Sequence, residues 1–311
     1  MKPLLLICAP LLLLLAPSIN SKETESPPPY LIILGNAQDA GYPHIACEKS
    51  CCRLYYEGKE PKHFVSSIAV IDPVSGERFV FDCTPDFPAQ LHLLDSLLQI
   101  AKMPDGIFLT HAHIGHYTGL MYLGRESMNA NAVEVYAMPE MKLFLEQNGP
   151  WSQLVQLKNI AVQSMQADVA IKLNERITVT PFRVPHRHEF TETVGFRIAL
   201  PGKSIVFIPD IDKWSKWDRD ILQLVAENDV LLLDGTFFDE GELGGRSMGD
   251  IPHPFIKESM ELFASLSAVQ KAKILFIHLN HSNPALIASS DARKEIEKNG
   301  FRVAVQGQII Q

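Results

Sequence analysis

The stretch THAHIGHYTGL, residues 110–120, places three histidines (His111, His113 and His116) within six positions. It continues the apolar run GIFLT, residues 106–110, whose composition is typical of a buried strand. Side chains at the junction of a strand and a loop are held on a rigid frame, and catalytic groups are common there. Neutral imidazole is also a preferred ligand of Zn²⁺ and Fe²⁺. The stretch therefore predicts a metal site where a strand ends.

Four more predicted strands end in side chains of the same chemical type. These are His186 after RITVTPFRVP, Asp210 after SIVFIP, Asp234 after DVLLL and His278 after KILFI. A single polar residue at a strand end usually does no more than satisfy hydrogen bonds. Five such coincidences on separate strands favour one shared metal site.

Short β-rich runs alternate with amphipathic stretches from residue 30 to residue 311. Residues 88–101, PAQLHLLDSLLQIA, have leucines at helical spacing, and residues 284–300 are expected to form a final helix that ends at Gly300. The sequence has no recognisable internal repeat and no interior linker. We therefore expect one domain over residues 30–311, in which two β-rich halves pack sheet on sheet beneath outer helices.

The first residues have the layout of a secretory signal peptide. Lys2 precedes an apolar run over residues 3–15, and small residues follow, which predicts a signal peptide over residues 1–21. The run is short for a membrane span, although an uncleaved anchor stays an alternative. The polar, proline-rich residues 22–29 are expected to form an unstructured linker. The sequence thus predicts an exported protein, periplasmic or secreted, without a membrane partner after cleavage.

The charge balance limits the classes of partner. The chain has 28 Lys and Arg against 36 Asp and Glu, a net charge of −8 at pH 7. Nucleic-acid binding is driven by clustered basic side chains, and the sequence has no such cluster. We therefore expect a small-molecule substrate and no nucleic-acid partner.

The ordered ligand types resemble the metallo-β-lactamase fold superfamily. Residues 110–120, followed by His186, Asp210 and His278, are similar to its pattern H-x-H-x-D-H with a later His, Asp and His. The resemblance covers nearly all of residues 30–311. It implies an α/β (α+β) protein with a four-layer αββα sandwich and the activity of a metal-dependent hydrolase.

The resemblance also assigns the ligands. It implies one metal held by His111, His113 and His186, a second held by His116 and His278, and Asp210 as a bridge between the two. Within VPHRHE, residues 184–189, His186 is favoured over His188 because it directly follows the strand. His188 is then a candidate proton carrier.

Gly115 departs from the superfamily pattern, which has an acid at that position. Two cations a few ångströms apart repel each other, and carboxylates offset the repulsion. Without the acid, either the second metal is weakly bound or a single metal acts alone. A glycine here also clears space beside the metal and allows a tight turn of the backbone.

Residues 32–52, IILGNAQDAGYPHIACEKSCC, and residues 81–87, FDCTPDF, resemble one branch of the superfamily. That branch contains the pyrroloquinoline-quinone biosynthesis protein B and the phosphodiesterase of the carbon–phosphorus lyase pathway. It implies a structural zinc, and the candidate ligands are Cys47, Cys51, Cys52 and His281. The usual spacing is C-x-C-x-x-C, and Lys49 stands at the middle position, so a disulfide such as Cys47–Cys52 stays an alternative. Cys83 is predicted to be a buried, apolar side chain.

The chemistry implied by the resemblance is metal-assisted hydrolysis, in which activated water attacks a phosphorus or carbonyl centre. We expect Zn²⁺ at one or two catalytic positions, with Fe or Mn as alternatives, and one structural zinc. Asp210 would fix the metal pair. In the glycine-rich loop 241–255, Arg246 is a candidate for binding an anionic substrate and His253 for protonating a leaving group. The alternatives are an iron-dependent oxygenase or hydroxylase and a metal-binding protein without catalysis.

Overall fold

Two seven-stranded sheets form the centre of the structure, a computed structural model that describes residues 26–242 and 251–311. The strands of the first sheet are β1 (Tyr30–Gly35), β2 (Ser67–Asp72), β3 (Glu77–Phe81), β4 (Gly106–Phe108), β5 (Val133–Ala137), β6 (Ile160–Ser164) and β14 (Ile309–Ile310). They lie in the order β14-β1-β2-β3-β4-β5-β6. The predicted signal peptide and the first residues of the predicted linker fall outside the described residues.

The second sheet is built from the C-terminal half of the chain. Its strands are β7 (Ile171–Lys172), β8 (Thr178–Arg183), β9 (Val194–Leu200), β10 (Lys203–Ile208), β11 (Val230–Asp234), β12 (Ile274–Ile277) and β13 (Arg302–Val303). They lie in the order β13-β12-β11-β10-β9-β8-β7. Both sheets are mixed, since each combines antiparallel pairs with a run of parallel strands.

Helices connect the strands and cover the outer faces of the sheets. They are α1 (Ser50–Tyr56), α2 (Phe87–Leu98), α3 (Ile114–Tyr117), α4 (Pro139–Gln147), α5 (Trp151–Gln156), α6 (Ile221–Glu227), α7 (Ile256–Leu262), α8 (Ala268–Lys271) and α9 (Asp291–Lys298). Short 3₁₀ helices occupy Thr118–Leu123, Trp214–Lys216 and Pro284–Leu286. Among the described residues, no helix combines the length and apolar character that crossing a membrane requires.

Alternation of side chains along each strand separates the layers. In β1, Leu31 and Ile33 point into a core shared by the two sheets, where they meet residues such as Phe207 of β10. Ile32 and Leu34 point the other way, into a second core under α2, α4 and α5. The outer face of the second sheet packs in the same manner against α6, α7 and α9. Successive residues of a strand face opposite sides, so these alternating cores confirm the predicted αββα sandwich.

The parallel strands bring the predicted site residues to one edge. β10, β11 and β12 run parallel, and Asp210, Asp234 and His278 stand at or just beyond their carboxyl ends. Ligands in open α/β sheets commonly bind at the carboxyl edge of the strands.

Strand β4 ends at Phe108, earlier than predicted, because the N–H of Thr110 donates to the side chain of Asp82 at 2.8 Å.

Candidate metal centre

Four of the predicted ligands converge on one point. His111, His113, His186 and Asp210 each offer one ligand atom, and these atoms all lie within 4.8 Å of one another. Nδ1 of His113 lies 2.8 Å from Nε2 of His111 and 3.3 Å from Nε2 of His186. Oδ2 of Asp210 lies 3.2 Å from Nε2 of His186. Three imidazole nitrogens and one carboxylate oxygen around a common centre are a set suited to zinc or iron.

A second group forms on the other side of Asp210. It contains the predicted His116 and His278 and, in addition, Asp39 from the loop after β1. Oδ1 of Asp39 lies 3.1 Å from Nε2 of His116 and 3.5 Å from Nε2 of His278. Oδ2 of Asp210 lies 3.9 Å from Nε2 of His116. One oxygen of Asp210 therefore stands between the two groups, as the resemblance implies.

The second group contains polar atoms that the protein does not satisfy. Oδ1 of Asp39 and Nε2 of His116 and His278 are buried and have no hydrogen-bond partner among the described residues. Leaving such an atom unpaired costs about 1–3 kcal/mol, so buried groups of this kind are normally bonded. A cation among the three atoms would satisfy all of them. The residues present therefore fit a bound metal ion.

The ligand histidines are held through their second ring nitrogen. Each Nδ1 that points away from the centre lies within 3.2 Å of a protein oxygen. The pairs are His111 with Thr110 Oγ1, His116 with Asp82 Oδ2, His186 with Asp212 Oδ1 and His278 with Thr236 Oγ1. Partners of this kind fix the orientation of the ring and are usual around protein-bound metals. They leave Nε2 of these four histidines directed at the centre.

Two residues of the centre have a left-handed backbone. Asp82 has φ of 66° and His278 has φ of 64°. This conformation is uncommon for residues other than glycine, and it persists where surrounding contacts enforce it. The conformation of Asp82 is held by Thr110, which donates both its N–H and its hydroxyl to the Asp82 carboxylate at 2.8 and 2.9 Å.

Asp234 and His253 form a third buried group beside Asp210. Nδ1 of His253 lies 2.8 Å from Oδ2 of Asp234 and 3.2 Å from Oδ1 of Asp210. Burial opposes protonation of His253, but the charges of Asp234 and Asp210 outweigh it and raise the pKa of the imidazole to about 9. The predicted strand-end residue Asp234 therefore holds His253, and His253 contacts the bridging carboxylate.

The remaining candidates lie apart from the centre. His188 is on the surface, with 60% of its side chain exposed, and pairs with Glu140. His186, and not His188, is the residue that the structure places among the ligands. Arg246 lies outside the described residues.

A separate group gathers the predicted structural-zinc ligands. Cys47, Cys51, Cys52 and His281 place one ligand atom each within 4.8 Å of the others, with the sulfurs of Cys47 and Cys51 at 3.8 Å. The four described cysteines are free thiols. Burial, together with the charge of His44, lowers the pKa of His281 to about 4, which leaves the ring in the neutral form that binds metals.

The buried position predicted for Cys83 is confirmed, because it packs in the apolar core beneath α2.

Sequence reasoning missed Asp39 and Asp82. Asp82 directly follows β3, so the strand-end rule that selected Asp210 would have selected it too. Asp39 lies in a loop without periodicity, and its only signal is the missing acid at Gly115.

The comparisons with known proteins agree with this geometry. Residues 77–279 match the beta-lactamase superfamily domain family. The coenzyme PQQ synthesis protein B of Methylorubrum extorquens strain PA1 is 26% identical over 307 residues, covering 89% of this chain and 98% of that protein. The resemblance to that branch is thereby confirmed.

Two solved structures show the same fold. The crystal structure of Zn²⁺-bound PqqB from Methylobacterium extorquens has a TM-score of 0.76 at 23% identity, over 91% of this chain and 99% of that chain. A new diphosphatase from the PhnP family has a TM-score of 0.63 at 21% identity, over 91% and 97% of the two chains.

Proposed function

This chain belongs to the beta-lactamase superfamily and is an enzyme of the metallo-β-lactamase fold, and from that premise we propose that it is a metal-dependent hydrolase of phosphoester or other ester-type bonds. The observation that carries the proposal is the position of Asp210. Its Oδ2 lies within 4.0 Å of the ligand nitrogens of His111, His113, His186 and His116. One carboxylate oxygen shared by two groups of imidazoles is the arrangement that supports metal-assisted attack by water.

A divalent cation bound there would supply Lewis acidity, because it lowers the pKa of water towards neutrality and polarises an oxygen of the substrate. The protein's own residues orient the ligand side chains. His253 contacts Oδ1 of Asp210 at 3.2 Å, so Oδ2 stays directed at the histidines. Asp212 lies 3.2 Å from Nδ1 of His186 and fixes that ring in the same way. The burial of Asp210 and His186 excludes bulk water from behind the ligands.

Zn²⁺ is the ion proposed for the centre. The donor set of His nitrogens and Asp oxygens supports zinc, with iron or manganese as alternatives. A zinc-bound relative of the same fold is known, which agrees with this choice. We also propose that the Cys47, Cys51, Cys52 and His281 group holds a structural zinc, because a closed thiolate and imidazole set leaves no position for a substrate.

The proposed substrate is a small anionic molecule. A structural neighbour is a diphosphatase, which supports a phosphoester substrate. His253 stands beside Asp210 and is the proposed proton donor to the leaving group, and Arg246 is the proposed contact for an anionic group. The residue pattern 1–21 supports export to the periplasm or the medium as part of the same proposal.

An iron-dependent oxygenase is the second candidate function. The observation that favours it is the similarity over 89% of the chain to a coenzyme PQQ synthesis protein. Several histidines with a carboxylate and an open position also suit Fe²⁺ and dioxygen.

Purified protein loaded with zinc, manganese or iron separates the two functions. We expect the zinc or manganese form to hydrolyse a chromogenic phosphodiester or carboxylic ester, and Asp210→Asn to lose that activity. Asp218→Asn, the same chemical change at an exposed position, is the matched control. Oxygen consumption by the iron form without ester hydrolysis would overturn the hydrolase proposal in favour of the oxygenase.

A further inference from the structure

Gly115 occupies a position where no side chain fits. A Cβ built on Gly115 would lie 2.4 Å from Oδ1 of Asp39 and 2.5 Å from its Cα. Real Cβ atoms essentially never approach another heavy atom within 3.0 Å. The contact with Cα is a backbone contact, so rotating the Asp39 side chain would not relieve it. The loop that carries Asp39 therefore fills the space that an acidic side chain at residue 115 would need.

Asp39 also reaches the place where that acid would act. Its Oδ1 lies 3.1 Å from Nε2 of His116 and 3.5 Å from Nε2 of His278. The two histidine side chains are fully buried, and the Asp39 side chain is 23% exposed. All three atoms lack hydrogen-bond partners within the described parts of the chain. A cation bound at the point between these three atoms would satisfy all of them.

We propose that Asp39 is a ligand of the second metal ion and replaces, from a different loop, the acid that the superfamily pattern places at residue 115. The centre is then dinuclear, with Asp39, His116 and His278 on one ion, His111, His113 and His186 on the other, and Asp210 between them. Two carboxylates face the pair of cations, as they do in the superfamily pattern. The repulsion between the cations is therefore offset to the same degree.

The backbone fixes Asp39 relative to His278. The N–H of Gln38 donates to the carbonyl of Leu279 at 2.8 Å, and the N–H of Leu279 donates to the carbonyl of Asn36 at 2.8 Å. Leu279 directly follows His278, so these two bonds tie the Asp39 loop to the residue next to a ligand. A site of fixed geometry needs such support, because a ligand on a free loop would lose conformational entropy on binding.

The competing interpretation is an ion pair without a metal. In that case the negative charge of Asp39 would be matched by the imidazole of His116 alone, whose Nε2 lies 3.1 Å from Oδ1 of Asp39. The two interpretations differ in metal content, so metal binding decides between them. The proposal rests on the metal-binding part of the proposed function and not on hydrolysis, and it stands if no ester is cleaved.

The test counts metal ions in wild type, Asp39→Asn and the control Asp218→Asn. Each protein is freed of metal, titrated with Zn²⁺ in a calorimeter and analysed by elemental analysis after desalting. Asparagine keeps the shape of the side chain and removes its charge. We expect Asp39→Asn to retain one ion fewer per chain than wild type and Asp218→Asn. The affinity of the weakened step should fall by more than the roughly 10–100-fold typical of losing an outer-shell partner.

Equal metal content and affinity in wild type and Asp39→Asn would overturn the proposal, and so would a wild type that binds a single ion at the His and Asp groups. Circular dichroism of the metal-free proteins checks that Asp39→Asn folds. Asp39→Glu is the second variant. It keeps the charge, so we expect it to recover part of the lost binding, which a role in shape alone would not explain.

Discussion

Nδ1 of His116 lies 2.7 Å from Oδ2 of Asp82, and both side chains are fully buried. Burial opposes protonation of His116, but the charges of Asp82 and Asp39 outweigh it and hold the pKa of the imidazole well above its ordinary value. Because Asp82 orients the ring, Nε2 faces the second group of ligands. A carboxylate behind a metal-binding histidine also makes the histidine a stronger ligand.

Asp82→Asn should weaken this support without removing a ligand. We expect the affinity of the second metal to fall by about 10–100-fold, with a matching loss of activity at limiting metal. The affinity of the His111, His113 and His186 group should change less. Zinc titration by calorimetry measures both steps, and Asp218→Asn is the control. An unchanged second step would show that Asp82 does not orient His116.

Gly115→Ala should be destabilising, because the new Cβ would collide with the Cα of Asp39. Overpacking of this kind costs typically about 1–3 kcal/mol. The Asp39 loop would have to move, so the second metal should also bind more weakly. Gly149→Ala is the control, since its Cβ would meet no atom within 4 Å. Urea denaturation measures both variants, and equal stability of the two would contradict the contact.

Cys47→Ala should lose one zinc ion per chain and lower the melting temperature, while the ions of the His and Asp groups stay bound. The group ties α1 to the segment after β12, so its loss frees two parts of the fold. Cys83→Ala, the same change at a buried cysteine outside the group, should keep its zinc. If a reductant lowers the melting temperature of wild type and a chelator does not, the cysteines form a disulfide and do not bind zinc.

The pair of His253 and Asp234 predicts a pH dependence for the metal-free protein. The pKa of His253 is raised from 6.5 to about 9, so its stabilising contribution is complete below pH 6.5 and is lost as the pH rises through about 9. The shift corresponds to about 3 kcal/mol. Chemical denaturation across this range should show a smaller loss of stability in His253→Gln than in wild type. An equal loss of stability in both proteins would show that His253 is not the source of the pH dependence.

The sequence predicts much of the fold and several of the candidate ligands. Apolar runs alternate with amphipathic stretches, which is enough to expect two stacked sheets, and His111, Asp210 and His278 directly follow such runs. The position of these residues is therefore set by local patterns that a single sequence contains. The shared edge then follows from the parallel arrangement of the strands.

The contribution of Asp39 could not be predicted in the same way. It is one of 36 acidic residues, and no local pattern distinguishes it from the others. Its proposed role depends on the close approach of Asp39 to Gly115 and on the backbone bonds of Asn36 and Gln38 to Leu279, and both partners are distant in the chain. The pairing of Asp234 with His253 is also tertiary, since it follows from how the segment after residue 250 packs against β11.

Anomalous diffraction from crystals of the zinc-loaded protein, recorded at the zinc absorption edge, tests the central claim most directly. The account predicts one peak among His111, His113, His186 and Asp210, a second among Asp39, His116 and His278, and a separate peak at the cysteine group. Zinc-saturated protein without a peak at the first position would contradict the metal centre, and protein without a peak at the second position would contradict the role proposed for Asp39.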